Sequence, residues 1–68
     1  MKDELILKNK IKEIRKQKNL SQEELALKTG TTRQTIIAIE KGVFTPSAKL
    51  AYLICLVLNV KFEDLFFF

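Results

Sequence analysis

Five turn-prone residues, Asn19, Gly30, Gly42, Pro46 and Asn59, cut this chain into four blocks of helical length. No block is long enough to be stable alone, so each must bury an apolar face against the others. In the first, Asn9 to Lys18, Ile11 and Ile14 share one face while Lys10, Lys12, Lys16 and Lys18 take the rest. The second opens on Ser21-Gln22-Glu23-Glu24, a capping box, and Gly30 closes it as a left-handed cap. The third starts at Thr32, a fitting N-cap, and runs to Lys41 with Gly42 as its stop. For the fourth, Thr45-Pro46 reads as N-cap and first helical residue, with Asn59 near the end. A short last turn over Phe62 to Leu65 follows. Leu5–Lys8 and Phe66–Phe68 read as short extended segments that could pair.

With 68 residues there is one domain, residues 1–68, and a thin core, since a chain of this size buries only roughly 60% of the surface it exposes when unfolded. The usual staples are missing. Cys55 has no second cysteine to bridge to, and the absence of His leaves no zinc ligand set. The same absences remove most nucleophile–base pairs, and Gly30 and Gly42 lie too far apart for a phosphate-cradling loop. The composition therefore points away from an enzyme, and calls for no metal, cofactor or small-molecule substrate. A net charge of +4 suits a polyanionic partner. Acids at Asp3 and Glu4 and an apolar run of only Leu5 to Leu7 do not resemble a signal peptide, and the run from Leu50 to Leu58 is half a membrane span. The expectation is a soluble, cytoplasmic protein without a membrane partner.

The centre of the chain reads Leu20-Ser21-Gln22-Glu23-Glu24-Leu25-Ala26, then Gly30, then Thr32-Arg33-Gln34-Thr35-Ile36. That is helix, glycine turn, helix, with a small residue, Ala26, where the two rods come closest. Around it stand Ile11-x-x-Ile14-Arg15, Ile39-Glu40-x-Gly42, Thr45-Pro46-Ser47 and Phe62-Glu63-Asp64-Leu65-Phe66. In this order and spacing the words resemble the phage repressor/Cro-type helix-turn-helix family, also called the XRE family, over about Ile11 to Phe66. The resemblance implies an all-α, five-helix domain, with a small two-stranded sheet from the chain ends in some members. It also implies double-stranded DNA as partner and a homodimer acting as a transcriptional regulator on a palindromic operator. The helix-turn-helix proper would be about 21–41 and the dimerisation region about 50–68.

Arg33, Gln34 and Thr35 open the helix that such proteins insert in the major groove, where Arg forks onto guanine and Gln onto adenine. Their bland alternative is a solvated helix start. Ile37 and Ala38 depart from the family pattern: they either touch a thymine methyl or pack against their own protein. By resemblance, Gln22 clamps a phosphate at the start of its helix, and Thr32 caps its helix and touches a phosphate. Lys41 and Phe44 border a loop that presses on the DNA backbone. Arg15 and Glu40 are implied to form a buried ion pair, against the alternative of two surface charges. The lysines of the first block read mainly as a solvated face, with Lys10 nearest a phosphate.

In the fourth block Leu50, Ile54 and Leu58 fall four apart and face the core, with Ala51 and Cys55 beside them. Leu53, Leu56 and Val57 are apolar too, and a helix apolar on all sides has to be covered on all sides. Together with Tyr52, Phe66, Phe67 and Phe68 they form the expected dimer interface, and oligomerisation would supply the missing staple. The competing function is a protein-interaction module, such as an antitoxin-like partner of another protein, that uses this apolar helix and tail.

Overall fold

A computed structural model of the chain describes residues 7–68. Its elements run β1 (Lys8–Asn9), α1 (Ile11–Gln17), α2 (Gln22–Thr29), α3 (Arg33–Glu40), α4 (Ala48–Leu58), α5 (Phe62–Leu65) and β2 (Phe66–Phe67). Local chemistry accounts for most boundaries. The Ser21 hydroxyl accepts the Glu24 N–H at 3.0 Å and the Glu24 carboxylate accepts the Ser21 N–H at 2.8 Å, so the capping box is closed. Gly30 ends α2 at φ 75, and a β-carbon there would meet no atom. The glycine is therefore needed for its backbone conformation and not for space. Beyond it the Thr31 N–H donates to the Ala26 carbonyl at 2.9 Å, which folds the turn back on α2.

The start of α4 differs from the expected one. Ser47, not Thr45, is the N-cap: its backbone is extended and its hydroxyl accepts the Leu50 N–H at 3.1 Å. Pro46 therefore precedes the helix instead of opening it. The physical reason is that Ser caps at least as well as Thr, and a proline forces extended backbone on the residue before it wherever the helix begins. At the far end Asn59 takes φ 58, and the Val60 N–H returns to the Cys55 carbonyl at 3.1 Å.

The seven side chains least exposed are Ile11, Leu25, Ile36, Ile39, Ile54, Leu58 and Leu65, drawn from all five helices. Ala51, Ile54, Cys55 and Leu58 bury one face of α4, and Leu50 packs partly on the same core. The chain ends meet as an antiparallel pair, Lys8 opposite Phe67 and Asn9 opposite Phe66. Of the expected first strand, Leu5–Lys8, Leu5 and Ile6 lie outside the described residues and Leu7 is not in the strand; Lys8 pairs with Phe67, and Asn9, beyond the expected segment, pairs with Phe66. Phe66 needs correction as an interface residue. It is only 3% exposed, closes its own core and stacks on Phe62 with ring centroids 4.9 Å apart, because alternation in β2 turns it inward and leaves Phe67 outside. Val57 too packs partly against its own core.

The Ser21 hydrogen bonds, backbone first, hold the Glu24 carboxyl below the ordinary glutamate range, with a smaller contribution from Lys28. A lowered folded-state pKa gives stability that is present above the unfolded value and lost as pH falls through the folded one. Acid titration of unfolding stability should show this loss just below the usual Glu range. Glu24→Gln should flatten that part of the curve, and an unchanged slope would contradict the assignment.

Candidate nucleic-acid interface

Arg15 and Glu40 set the geometry of this face. The Arg15 Nε donates to Glu40 Oε2 at 2.8 Å, Nη2 approaches Oε1 at 3.4 Å, and Nη1 donates to the Leu20 carbonyl at 2.9 Å. Gln22 Nε2 donates to Glu40 Oε1 at 3.0 Å. The two charged side chains are 8% and 5% exposed. Burying an ion pair is costly unless the remaining donors and acceptors are satisfied, and here the neighbouring carbonyl and amide do that. Among the described residues no buried side-chain nitrogen or oxygen lacks a partner. One cluster thus joins the α1–α2 turn, the start of α2 and the end of α3. A second tether lies nearby: Asn9 Nδ2 donates to the Ile39 carbonyl at 2.9 Å, and its Oδ1 accepts the Ile11 N–H at 3.1 Å.

With its far end held, α3 projects its first turn into solvent. Thr32 caps it by accepting the Thr35 N–H at 3.2 Å, and the two threonine hydroxyls are 2.9 Å apart. Arg33 and Gln34 are exposed, whereas Thr35, Ile37 and Ala38 are half-buried. Two shallow depressions flank this turn. One, polar and about 400 Å³, is bordered by Arg15, Ser21, Gln22, Glu23 and Arg33. The other, about 290 Å³, is bordered by Thr32, Gln34, Thr35, Ala38, Val43 and Phe44. Lys41 is exposed at the end of α3, and Gly42 at φ 80 turns the chain so that the Val43 N–H reaches the Ala38 carbonyl at 3.1 Å.

The structure therefore gathers Gln22, Thr32, Arg33, Gln34, Thr35, Ala38, Lys41 and Phe44 around α3 and its flanking turns. Ile37 borders neither depression. Gln22 carries a role that its position at a helix start did not signal, since part of its amide is spent on Glu40; a second N–H of that amide remains. Val43, 76% exposed beside Phe44, joins the loop surface. Asn9 gave no sign of being a tether in the sequence because its partner is a carbonyl thirty residues away. Lys10, the lysine expected nearest to DNA, places its ammonium over the Phe67 ring at 5.6 Å. Among the described residues no group of three His, Cys, Asp or Glu side chains is placed to hold a metal ion.

Comparison with known proteins places the chain among helix-turn-helix proteins. The sequence profile of the helix-turn-helix family matches residues 11–65. An uncharacterized HTH-type transcriptional regulator of Methanocaldococcus jannaschii is 55% identical over 62 residues, covering 91% of this chain and 94% of the relative. One of Archaeoglobus fulgidus is 50% identical over 91% of this chain and 87% of its own length. One of Bacillus subtilis is 50% identical over 88% of this chain and 91% of its own.

Removing one member of the buried pair strands the other, at a cost of about 3–5 kcal/mol. A domain of 68 residues has only roughly 3–10 kcal/mol to lose at the usual 0.05–0.15 per residue. Arg15→Ala and Glu40→Ala should each lower the unfolding free energy at 25 °C by about 3–5 kcal/mol in urea titrations. The double substitution Arg15→Met with Glu40→Leu should be far less destabilising than the single substitutions Arg15→Met and Glu40→Leu added together. An effect equal to their sum would show that the pair is not coupled.

Proposed function

The chain belongs to the helix-turn-helix family of transcriptional regulators, a family of DNA-binding proteins and not of enzymes, and we propose that it acts as a homodimer on a palindromic operator. In this reading residues 1–68 work as one unit in the cytoplasm, with the helix-turn-helix over about 21–41 and the dimerisation region over about 50–68. No helix among the described residues is long and apolar enough to cross a membrane. The observation that carries the reading is the exposed first turn of α3, which offers Arg33 and Gln34 to solvent beyond a rigidly tethered helix end.

The mechanism follows from that geometry. A recognition helix enters the major groove by its N-terminal turn, so Arg33 and Gln34 meet base edges first and Thr35 follows. The Arg fork suits guanine O6 and N7, and the Gln amide suits adenine N6 and N7. Thr32, Gln34, Ala38 and Phe44 border the second depression, where Ala38 can only make apolar contact. Gln22, with its spare amide hydrogen, the Thr32 hydroxyl, Lys41 and the Phe44 loop hold the phosphates on either side, which fixes register without reading sequence. Two copies related by a two-fold axis present two such helices about 34 Å apart, one helical turn of DNA. Occupying a promoter in this way blocks transcription, so the action is repression.

Selection from a random DNA pool should yield inverted repeats with half-sites about one turn apart. Arg33→Ala and Gln34→Ala each delete one base-reading side chain per protomer, which should cost about 1–3 kcal/mol per half-site and relax preference at one position of each half-site. Lys41→Ala should weaken all sites alike and shallow the salt dependence. Affinity that stays flat between about 50 and 200 mM salt, or no enrichment of any sequence, would overturn the reading.

A further inference from the structure

Gln22 is the first residue of α2, half-buried, on the border of the polar depression that Arg33 shares. A glutamine amide has an oxygen that accepts and a nitrogen that donates, at ends of nearly equal shape, and it turns over easily unless something tells them apart. The oxygen repels a phosphate; the nitrogen binds one. Glu40 tells them apart here. A carboxylate only accepts, and its Oε1 lies 3.0 Å from Gln22 Nε2, so the nitrogen is the end held at Glu40. The Arg15 Nη2 reaches that oxygen only at 3.4 Å, which makes Gln22 its nearer donor.

We propose that Glu40 is a positioning residue for DNA affinity as well as a joint between helices: it fixes the Gln22 amide so that the second N–H is held ready for a backbone phosphate oxygen. The inference rests on the DNA-binding reading above. It adds a residue that does not itself touch DNA, since the Glu40 side chain is only 5% exposed.

Order made in advance raises affinity, because a long polar side chain that is free in solution loses its rotamer freedom on binding. Gln22 has already lost it on folding. One N–H is spent on Glu40, and a second remains on the same nitrogen, beside the depression. The restraint runs further back, as Oε2 of Glu40 accepts the Arg15 Nε at 2.8 Å and Arg15 in turn donates to the Leu20 carbonyl at 2.9 Å. The charges permit the arrangement. Arg15 neutralises Glu40, so the carboxylate behind the amide sets no net charge against a phosphate.

The test uses the duplex most enriched from random DNA, with affinity read by fluorescence anisotropy at one salt concentration and circular dichroism confirming the helices of each variant. Gln22→Ala should weaken binding about tenfold, the factor expected for a hydrogen bond to a charged oxygen. Arg15→Met with Glu40→Leu removes one charge of each sign and leaves Gln22 without its acceptor. It should weaken binding about threefold or more, with base preference unchanged. Added to Gln22→Ala, the same pair of substitutions should cost nothing further. A cost that persists there, an altered base preference, or a pair-substituted chain that binds as tightly as the unaltered one overturns the proposal. Nitrogen–proton NMR of the unaltered chain gives a readout independent of any variant's stability. Of the two Gln22 Nε2 protons, the one on Glu40 should exchange more slowly with solvent, and the other should shift more when the duplex is added. Two protons that behave alike overturn the positioning. Gln22→Ala that binds normally overturns the clamp and the proposal with it, and leaves base reading by Arg33 and Gln34 standing. An unaltered chain that enriches no duplex overturns the DNA-binding reading and the proposal together.

Discussion

Glu40 accepts from two different helical neighbourhoods, Arg15 at the end of α1 and Gln22 at the start of α2, while belonging to the last turn of α3. That single carboxylate fixes how three short rods meet. Its position matters more than its energy, since a satisfied buried ion pair contributes little net stability over an apolar substitute. What the pair adds is direction: a guanidinium fork that also reaches the Leu20 carbonyl has few ways to be satisfied at once. An apolar contact at the same place would tolerate sliding. With the end of α3 pinned, and Asn9 holding the Ile39 carbonyl beside it, the opposite end of the helix is free to carry side chains outward on a rigid mount.

This division between a tethered end and a presenting end explains why the exposed polar face of α3 is so small. Arg33 and Gln34 are exposed, but one turn later Ile37 and Ala38 are already half-buried and have no group to hydrogen-bond a base. The exposed polar side chains of this helix are therefore concentrated in its first turn. The loop beyond Gly42 extends the surface with Val43 and Phe44, two apolar side chains in a place where only contact area and shape can be offered.

The surface around α4 is governed by the chain's small size. Every helix contributes to one core, and α4 contributes most, burying Ala51, Ile54, Cys55 and Leu58 on one face. Its remaining apolar side chains do not share one fate. Val57 and Leu50 pack partly on the core, Leu53 is half-buried elsewhere, and Tyr52 and Leu56 stand out beside Phe62. An all-round apolar helix announces that more than one surface is involved. It does not say which residue goes to which.

Element types and most boundaries were legible in the residues themselves, because caps and left-handed stops act within one turn: Ser21 with Glu24, Gly30, Thr32, Asn59. The error at Pro46 has the same local scale, as two nearby hydroxyl residues compete to cap one helix. The family words also carried the Arg15–Glu40 pair and the exposed start of α3. Tertiary structure decided what depends on residues far apart in the chain. The Gln22 bond to Glu40 and the Asn9 bond to Ile39 span eighteen and thirty residues, and no periodicity encodes such a meeting. Phe66 and Phe67 read alike in sequence, but the pleat of β2 against β1 sends one to the core and the other to solvent. Sequence thus settled what each short segment becomes, since that is set by dihedral preference and nearby hydrogen bonds; only the packed fold settled which side chains are left over to meet another molecule.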